Sequence, residues 1–129
     1  MNRAFTFAAA ATLTLGAGTP AHLTAGGNVT KIEMITRPKS YTGPCPAPLR
    51  FTGVIHVSQS PVTVEYQWER SDGATAPKHK IVIRNRGLGV NDSWKVGGAG
   101  EHLTVWEKLH VLSPNDMVSP AGSVVVKCR

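Results

Sequence analysis

From Val62 to Glu69 the chain alternates: Val62, Val64, Tyr66 and Trp68 share one parity, and Thr63, Glu65, Gln67 and Glu69 the other. Successive side chains on a β-strand point to opposite faces, so a period of two marks a half-buried strand and excludes an amphipathic helix. Trp68 is therefore expected to fill the space between two sheets rather than to stand on the surface as a ligand platform. Glu65 and Glu69 become solvent-facing strand residues rather than a catalytic pair. "SDG" closes the strand, because Asp72 can accept backbone hydrogen bonds and Gly73 tolerates a positive φ.

The same pattern recurs along the chain. "VTKIEMIT" opens a first strand, with Val29, Ile32 and Ile35 among polar positions. "RPKSYTGPCPAP" interrupts it, and its prolines exclude a helix. "LRFTGVIHV" places Leu49, Phe51, Ile55 and Val57 on one face, with Gly53 among them leaving room for a large facing residue. "HKIVIR" follows, with Ile81 and Ile83 in phase. In "GLGVNDSWKV", Val90, Trp94 and Val96 share parity, but Asp92 interrupts their face. A bulge, an edge position or a different register would each account for that. "LTVWEKLHVL" has Val105, Leu109 and Val111 as its core face, "SPNDMVSPAG" is a break, and "SVVVKC" brings Val124 and Val126 into phase with Cys128. Seven strand candidates separated by Gly, Pro, Asn, Asp and Ser predict an all-β sandwich, with a barrel as the alternative.

The first residues have a different character. "MNR" is a short basic start, residues 4–18 are an apolar run of mostly small side chains, and "TPA" offers Thr19 and Ala21 as a cleavage site. This is the layout of a secretory signal over residues 1–21, followed by a tether at 22–28 and a β-sandwich domain at 29–129. The apolar run is too short for an ordinary membrane span, which takes roughly 20 residues. Cleavage would leave about 108 residues, enough for one domain with its own core. In an exported chain, Cys45 and Cys128 most simply form one intramolecular disulfide. They would lie at one pole of an alternating seven-strand sandwich, since Cys45 precedes the second strand and Cys128 ends the last.

"CP", Leu49, Phe51, Gly53 and Ile55 form one motif, and Val64, Tyr66 and the run Trp68–Gly73 a second. "WEKLHVLSPN" from Trp106 to Asn115 and the terminal "VVVKC" extend them. Over residues 40–129 the chain resembles small exported actinobacterial proteins with an immunoglobulin-like or fibronectin-III-like domain. The resemblance implies a seven-strand sandwich of that type and a structural or binding role, and it carries no catalytic residues. The disulfide departs from the antibody arrangement, in which the bridge joins the second and sixth strands around the core Trp.

Chemistry is sparsely represented. His56 and His110 fall on polar strand faces and read as isolated solvent-facing imidazoles. Glu101–His102 is adjacent in a glycine-bearing loop, but adjacency alone orients no acid–base pair. No serine sits in a nucleophile elbow, and Asn115–Asp116 lacks the regular oxygen spacing of a calcium loop. No metal site and no cofactor are expected. The formal net charge of +6 would favour anionic surfaces, but the basic residues are scattered and no nucleic-acid motif is present. The surface candidates are the pair Arg84 and Arg86, and the group Trp106, Lys108 and His110. For Trp106 the competing reading is a cover over the end of the core. The function expected is a secreted or cell-envelope-associated interaction module, monomeric and without a membrane span in its mature form. Its partner would be an extracellular protein or an anionic envelope component. The alternatives are an enzyme inhibitor presenting the Lys95–His102 loop, and a small extracellular hydrolase.

Overall fold

Alternation gives each strand one apolar face, and two sheets bury those faces against each other. A computed structural model describes residues 27–129. The predicted leader at 1–21 and most of the tether, through residue 26, lie outside the described residues. The described residues form nine strands: β1 Val29–Arg37, β2 Ser40–Gly43, β3 Ala47–Val57, β4 Val62–Arg70, β5 His79–Ile83, β6 Gly87–Val96, β7 His102–Ser113, β8 Met117–Val118 and β9 Gly122–Cys128. One sheet has the order β1-β3-β6; the other has the order β2-β9-β7-β4-β5, with β8 paired to β7. Neighbours are antiparallel except β2 and β9, which run parallel. The result is a sandwich-like pair of sheets.

Two of the nine strands lie in segments whose sequence predicts only breaks. β2 is four residues caught between Pro38 and Pro44, and it pairs along the edge of β9. β8 is two residues folded back on β7. Such short edge pairings carry no hydrophobic period, so the seven-strand count is corrected to nine among the described residues. The first strand mixes its two parities. A register shift between Val29 and Lys31 turns both Val29 and Ile32 inward and leaves Ile35 outside, 39% exposed.

The remaining core follows the alternation. Leu49, Phe51 and Ile55 from β3 meet Val64, Trp68, Leu109, Val111, Val124 and Val126 from the facing sheet. Trp68 is buried, with 2% of its surface exposed. Gly53 is the space for a facing residue, and Leu109 occupies it: a Cβ at Gly53 would lie 2.5 Å from Leu109 Cδ2.

Cys45 and Cys128 form a disulfide at one pole, with a Cα–Cα distance of 5.4 Å. Gly97 packs over it at a φ of +88°, where a Cβ would fall 2.6 Å from Cys128 Sγ. The left-handed backbone and the close approach both require glycine there. The bridge spans 83 residues of sequence. Replacing both cysteines with serine is expected to cost about 2–4 kcal/mol in equilibrium urea unfolding. Unchanged stability in the double variant would contradict that role.

The two sides of the sandwich close differently. On the β1 side, Asn115 accepts a hydrogen bond from Val29 N (2.8 Å) and donates one to Val29 O (3.0 Å). Gly122 of β9 lies against Met34 and Thr36, so the β1 side is tied to the facing sheet. On the other side, β5 and β6 are the end strands of their sheets and do not pair with each other.

Candidate functional site

The open side holds a cleft of about 420 Å³ between β4 with its following connection and β6. Tyr66, Trp68 and Arg70 contribute from β4, Ala74 to Pro77 from the connection, and Asn91 and Asp92 from β6. The connection is held close, because Ala76 N donates to Trp68 O at 3.0 Å and Ala74 O accepts from Arg70 N at 3.1 Å.

Three charged residues interrupt three apolar faces at this level of the sandwich. Arg70 continues the inward parity of Trp68, Asp92 that of Val90 and Trp94, and Glu107 that of Val105 and Leu109. They meet. Arg70 Nε donates to Glu107 Oε1 at 2.8 Å, and Nη2 donates to Asp92 Oδ2 at 2.9 Å and to the Ser93 carbonyl at 3.3 Å. The guanidinium carbon also lies 4.9 Å from the centre of the Trp94 ring, within cation–π range. Glu107 is fully buried, and its Oε2 has no hydrogen-bond partner.

Burial, and after it the facing Asp92 carboxylate, push the Glu107 pKa up to about 8 against the opposing pull of Arg70. At neutral pH the carboxyl is therefore mostly protonated. The neutral acid can accept from Arg70 through Oε1 while Oε2 carries the proton. Arg70 and Asp92 then cancel, and the cleft wall has no net charge from this group. Asp92 is thus an inward carboxylate on an end strand. The β3–β6 register runs without a shift, which excludes the bulge alternative.

The outer face of the larger sheet carries a second cluster. His110 Nδ1 lies 2.7 Å from Glu69 Oε1, and Nε2 lies 3.0 Å from Asp116 Oδ1. The imidazole is held between two carboxylates from two other elements, and its side chain is only 19% exposed. This corrects the expectation of an isolated, solvent-facing His110. His56 is likewise not isolated, with Nε2 3.5 Å from Glu33 Oε2. Glu65 and Glu69 do take the outer face, where they pair with Lys80 and His110.

Burial alone would lower the His110 pKa, but the hydrogen bonds to Glu69 and Asp116 outweigh it and raise the value above 6.5. A raised histidine pKa contributes stability below about pH 6.5 that is lost as pH climbs through the folded value. His110→Gln is therefore expected to lower the melting temperature more at about pH 5.5 than at about pH 8.5. An equal loss at both pH values would contradict the paired imidazolium.

The predicted surface residues fall into two separate places. Trp106 and Lys108 share the outer face of β7 with His110, and Lys108 Nζ sits 4.8 Å from the centre of the Trp106 ring. By register Trp106 lies diagonally from Val125 of β9, which is 45% exposed. Trp106 is half-buried on that outer face rather than a plug at the end of the core. Arg84 and Arg86 are exposed in the β5–β6 connection. That connection lies beside Val62, whereas Glu107 pairs with Arg70 at the far end of β4. Eight strand residues separate the two places by roughly 25 Å.

The loops have structural work. Lys95 belongs to β6 and His102 to β7, so the expected Lys95–His102 loop shrinks to residues 97–101. Glu101 N donates to Gly98 O at 3.0 Å, Glu101 Oε1 accepts from Gly98 N at 3.0 Å, and Glu101 O accepts from Cys128 N at 2.8 Å. This short closed turn is not a long projecting inhibitor loop. Asn115 clasps β1 and Asp116 holds His110, so both are committed within the fold. Ser119 Oγ accepts from Leu109 N, and Ser71 Oγ accepts from Trp106 N. No group of three or more His, Cys, Asp or Glu with metal-holding geometry occurs among the described residues. No helix among them is long and apolar enough to cross a membrane.

The Arg70–Asp92–Glu107 group was missed as a unit by sequence reasoning. Its signal was present as three charges at inward parity, of which only Asp92 stands out. No family model and no curated protein matches this chain.

Proposed function

We propose that the chain is an exported interaction module of immunoglobulin-like or fibronectin-III-like type, which contacts an extracellular protein or an anionic component of the cell envelope. Support for the fold type comes from the strand order. β1, β3 and β6 correspond to one sheet of such a domain, and β9, β7, β4 and β5 to the other, with the core Trp68 on the third main strand. Both the added parallel strand β2 and the polar placement of the disulfide depart from the antibody pattern.

The observation that carries the function is the Trp106–Lys108 stack beside exposed Val125 on the outer face of the larger sheet. A half-buried aromatic ring stacked with a cation on an outer sheet face suits contact with protein or glycan. The test is a pull-down with the mature, disulfide-bonded chain against native envelope and secreted material, followed by titration of any captured partner. Saturable binding that weakens with rising salt and falls at least about tenfold in Trp106→Ala is expected. Replacing Arg84 and Arg86 with Gln tests the other basic surface. Loss there with no effect of Trp106→Ala moves the contact to the β5–β6 connection. Turnover of a substrate by the purified chain would overturn the proposal.

A further inference from the structure

Among the described residues four strands end the two sheet paths, with the two-residue β8 off them, and three of the four are guarded. β1 carries a register shift, is clasped by Asn115 and packs against β9 through Gly122. β2 is four residues long and flanked by prolines, and β5 is five residues long with Pro77, Lys78 and Lys80 at its start. Short length, proline and lysine are the usual means of blunting an edge. β6 is different. It has ten residues, no proline, an unshifted register with β3 and a single lysine, Lys95. Its inward Asp92 would also guard an edge, but Arg70 has already neutralised it.

In an antiparallel ladder, every second residue of an end strand turns its N–H and C=O away from its neighbour. The Ser93 carbonyl, which Arg70 Nη2 reaches from across the cleft at 3.3 Å, shows which phase of β6 faces the open side and is itself already taken. Gly89, Asn91 and Lys95 share that phase, and their backbone groups have no partner on the open side among the described residues. Beside them lies the cleft, walled by Tyr66, Trp68, Ala76 and Asp92.

The geometry points to the β6 edge as a docking site for an extended segment of a partner protein. The segment adds a fourth strand to the three-stranded sheet and places alternate side chains in the cleft. Unpaired main-chain groups take another strand, and the adjoining cavity reads its side chains. The entering side chains are uncharged, because the Arg70 guanidinium is already matched by Asp92 and no free counter-charge awaits them. This site adds to the outer face proposed above and does not depend on it.

The probe is a random nine-residue peptide display library, selected against the disulfide-bonded chain; the best sequence is then synthesised and titrated. An uncharged, alternating peptide is expected. Backbone N-methylation should weaken it at least about tenfold at alternate positions of one phase and leave the other phase unaffected. Asn91→Pro removes a free-phase N–H and leaves the backbone ladder to β3 in place, losing there only the side-chain bond from Thr52 Oγ1 to Asn91 Oδ1 (2.6 Å), and Ala74→Trp fills the cleft from an exposed position. Each should reduce affinity at least about tenfold, while Trp106→Ala should not. If Asn91→Pro fails to fold, Ala74→Trp and the N-methyl scan still decide the matter. Absence of any saturable peptide, or binding insensitive to both cleft and backbone changes, would overturn the site. So would self-association abolished by Asn91→Pro, which would assign the edge to a second copy. A partner captured through Trp106 but indifferent to Asn91→Pro and Ala74→Trp would refute this site while leaving the interaction-module proposal intact.

Discussion

Replacing Trp68 with alanine is expected to lower stability by about 3–5 kcal/mol, the range for a large aromatic removed from a packed core. The ring is 2% exposed and belongs to the cluster that includes Phe51, Val64 and Leu109. β4 cannot collapse to fill the gap, because it is paired on both sides, with β5 and with β7. Equilibrium urea unfolding with the disulfide intact measures the effect as a lower midpoint at similar slope. A loss below about 1 kcal/mol would contradict a fully packed ring. Because Trp68 also walls the cleft, this variant tests the fold and not the peptide site.

Replacing Arg70 with methionine should cost less, about 1–3 kcal/mol, because it leaves buried acceptors without their donor. The substitution keeps much of the apolar stem but strands the fully buried Glu107 and the partly buried Asp92 without their common donor. Changing Asp92 and Glu107 to leucine in the same chain should recover most of the loss, since it removes the stranded acceptors together with the unmatched Asp92 charge. A triple variant no more stable than Arg70→Met would show that the cost lies in the lost packing on Trp94 instead.

The network also gives stability a pH dependence of defined sign. Glu107 has a folded pKa of about 8 against an ordinary 4.5, so the folded chain holds the extra proton between those values. Stability therefore falls as pH rises through that window, and the loss is complete above about 8. Glu107→Gln should flatten this slope. His110 contributes in the same direction, so the difference between wild type and Glu107→Gln isolates the buried carboxyl. An unchanged slope in that variant would mean that Glu107 is ionised throughout.

Parity was enough to place much of this molecule from its sequence. Trp68 is inward, Gly53 faces a large residue, and Trp106, Lys108 and His110 share an outer face because side chains alternate along a strand whatever surrounds it. The disulfide was legible for a similar reason, as two cysteines at chain positions that a sandwich brings to one pole. The short strands β2 and β8 were not legible, because their pairing is with β9 and β7 and leaves no period in their own residues.

The charged interior depended on tertiary structure altogether. Arg70 meets Asp92 across 22 residues and Glu107 across 37, from three strands in two sheets. Glu69 and Asp116 reach His110 from a neighbouring strand and a following turn. Alternation states which way a side chain points; it does not state what stands opposite. A charge at inward parity reads alone as a misfit, and only the packing of one sheet on the other supplies the counter-charge that lets it stay. The open β6 edge is of the same kind, since a strand is an edge only once its neighbours have been assigned.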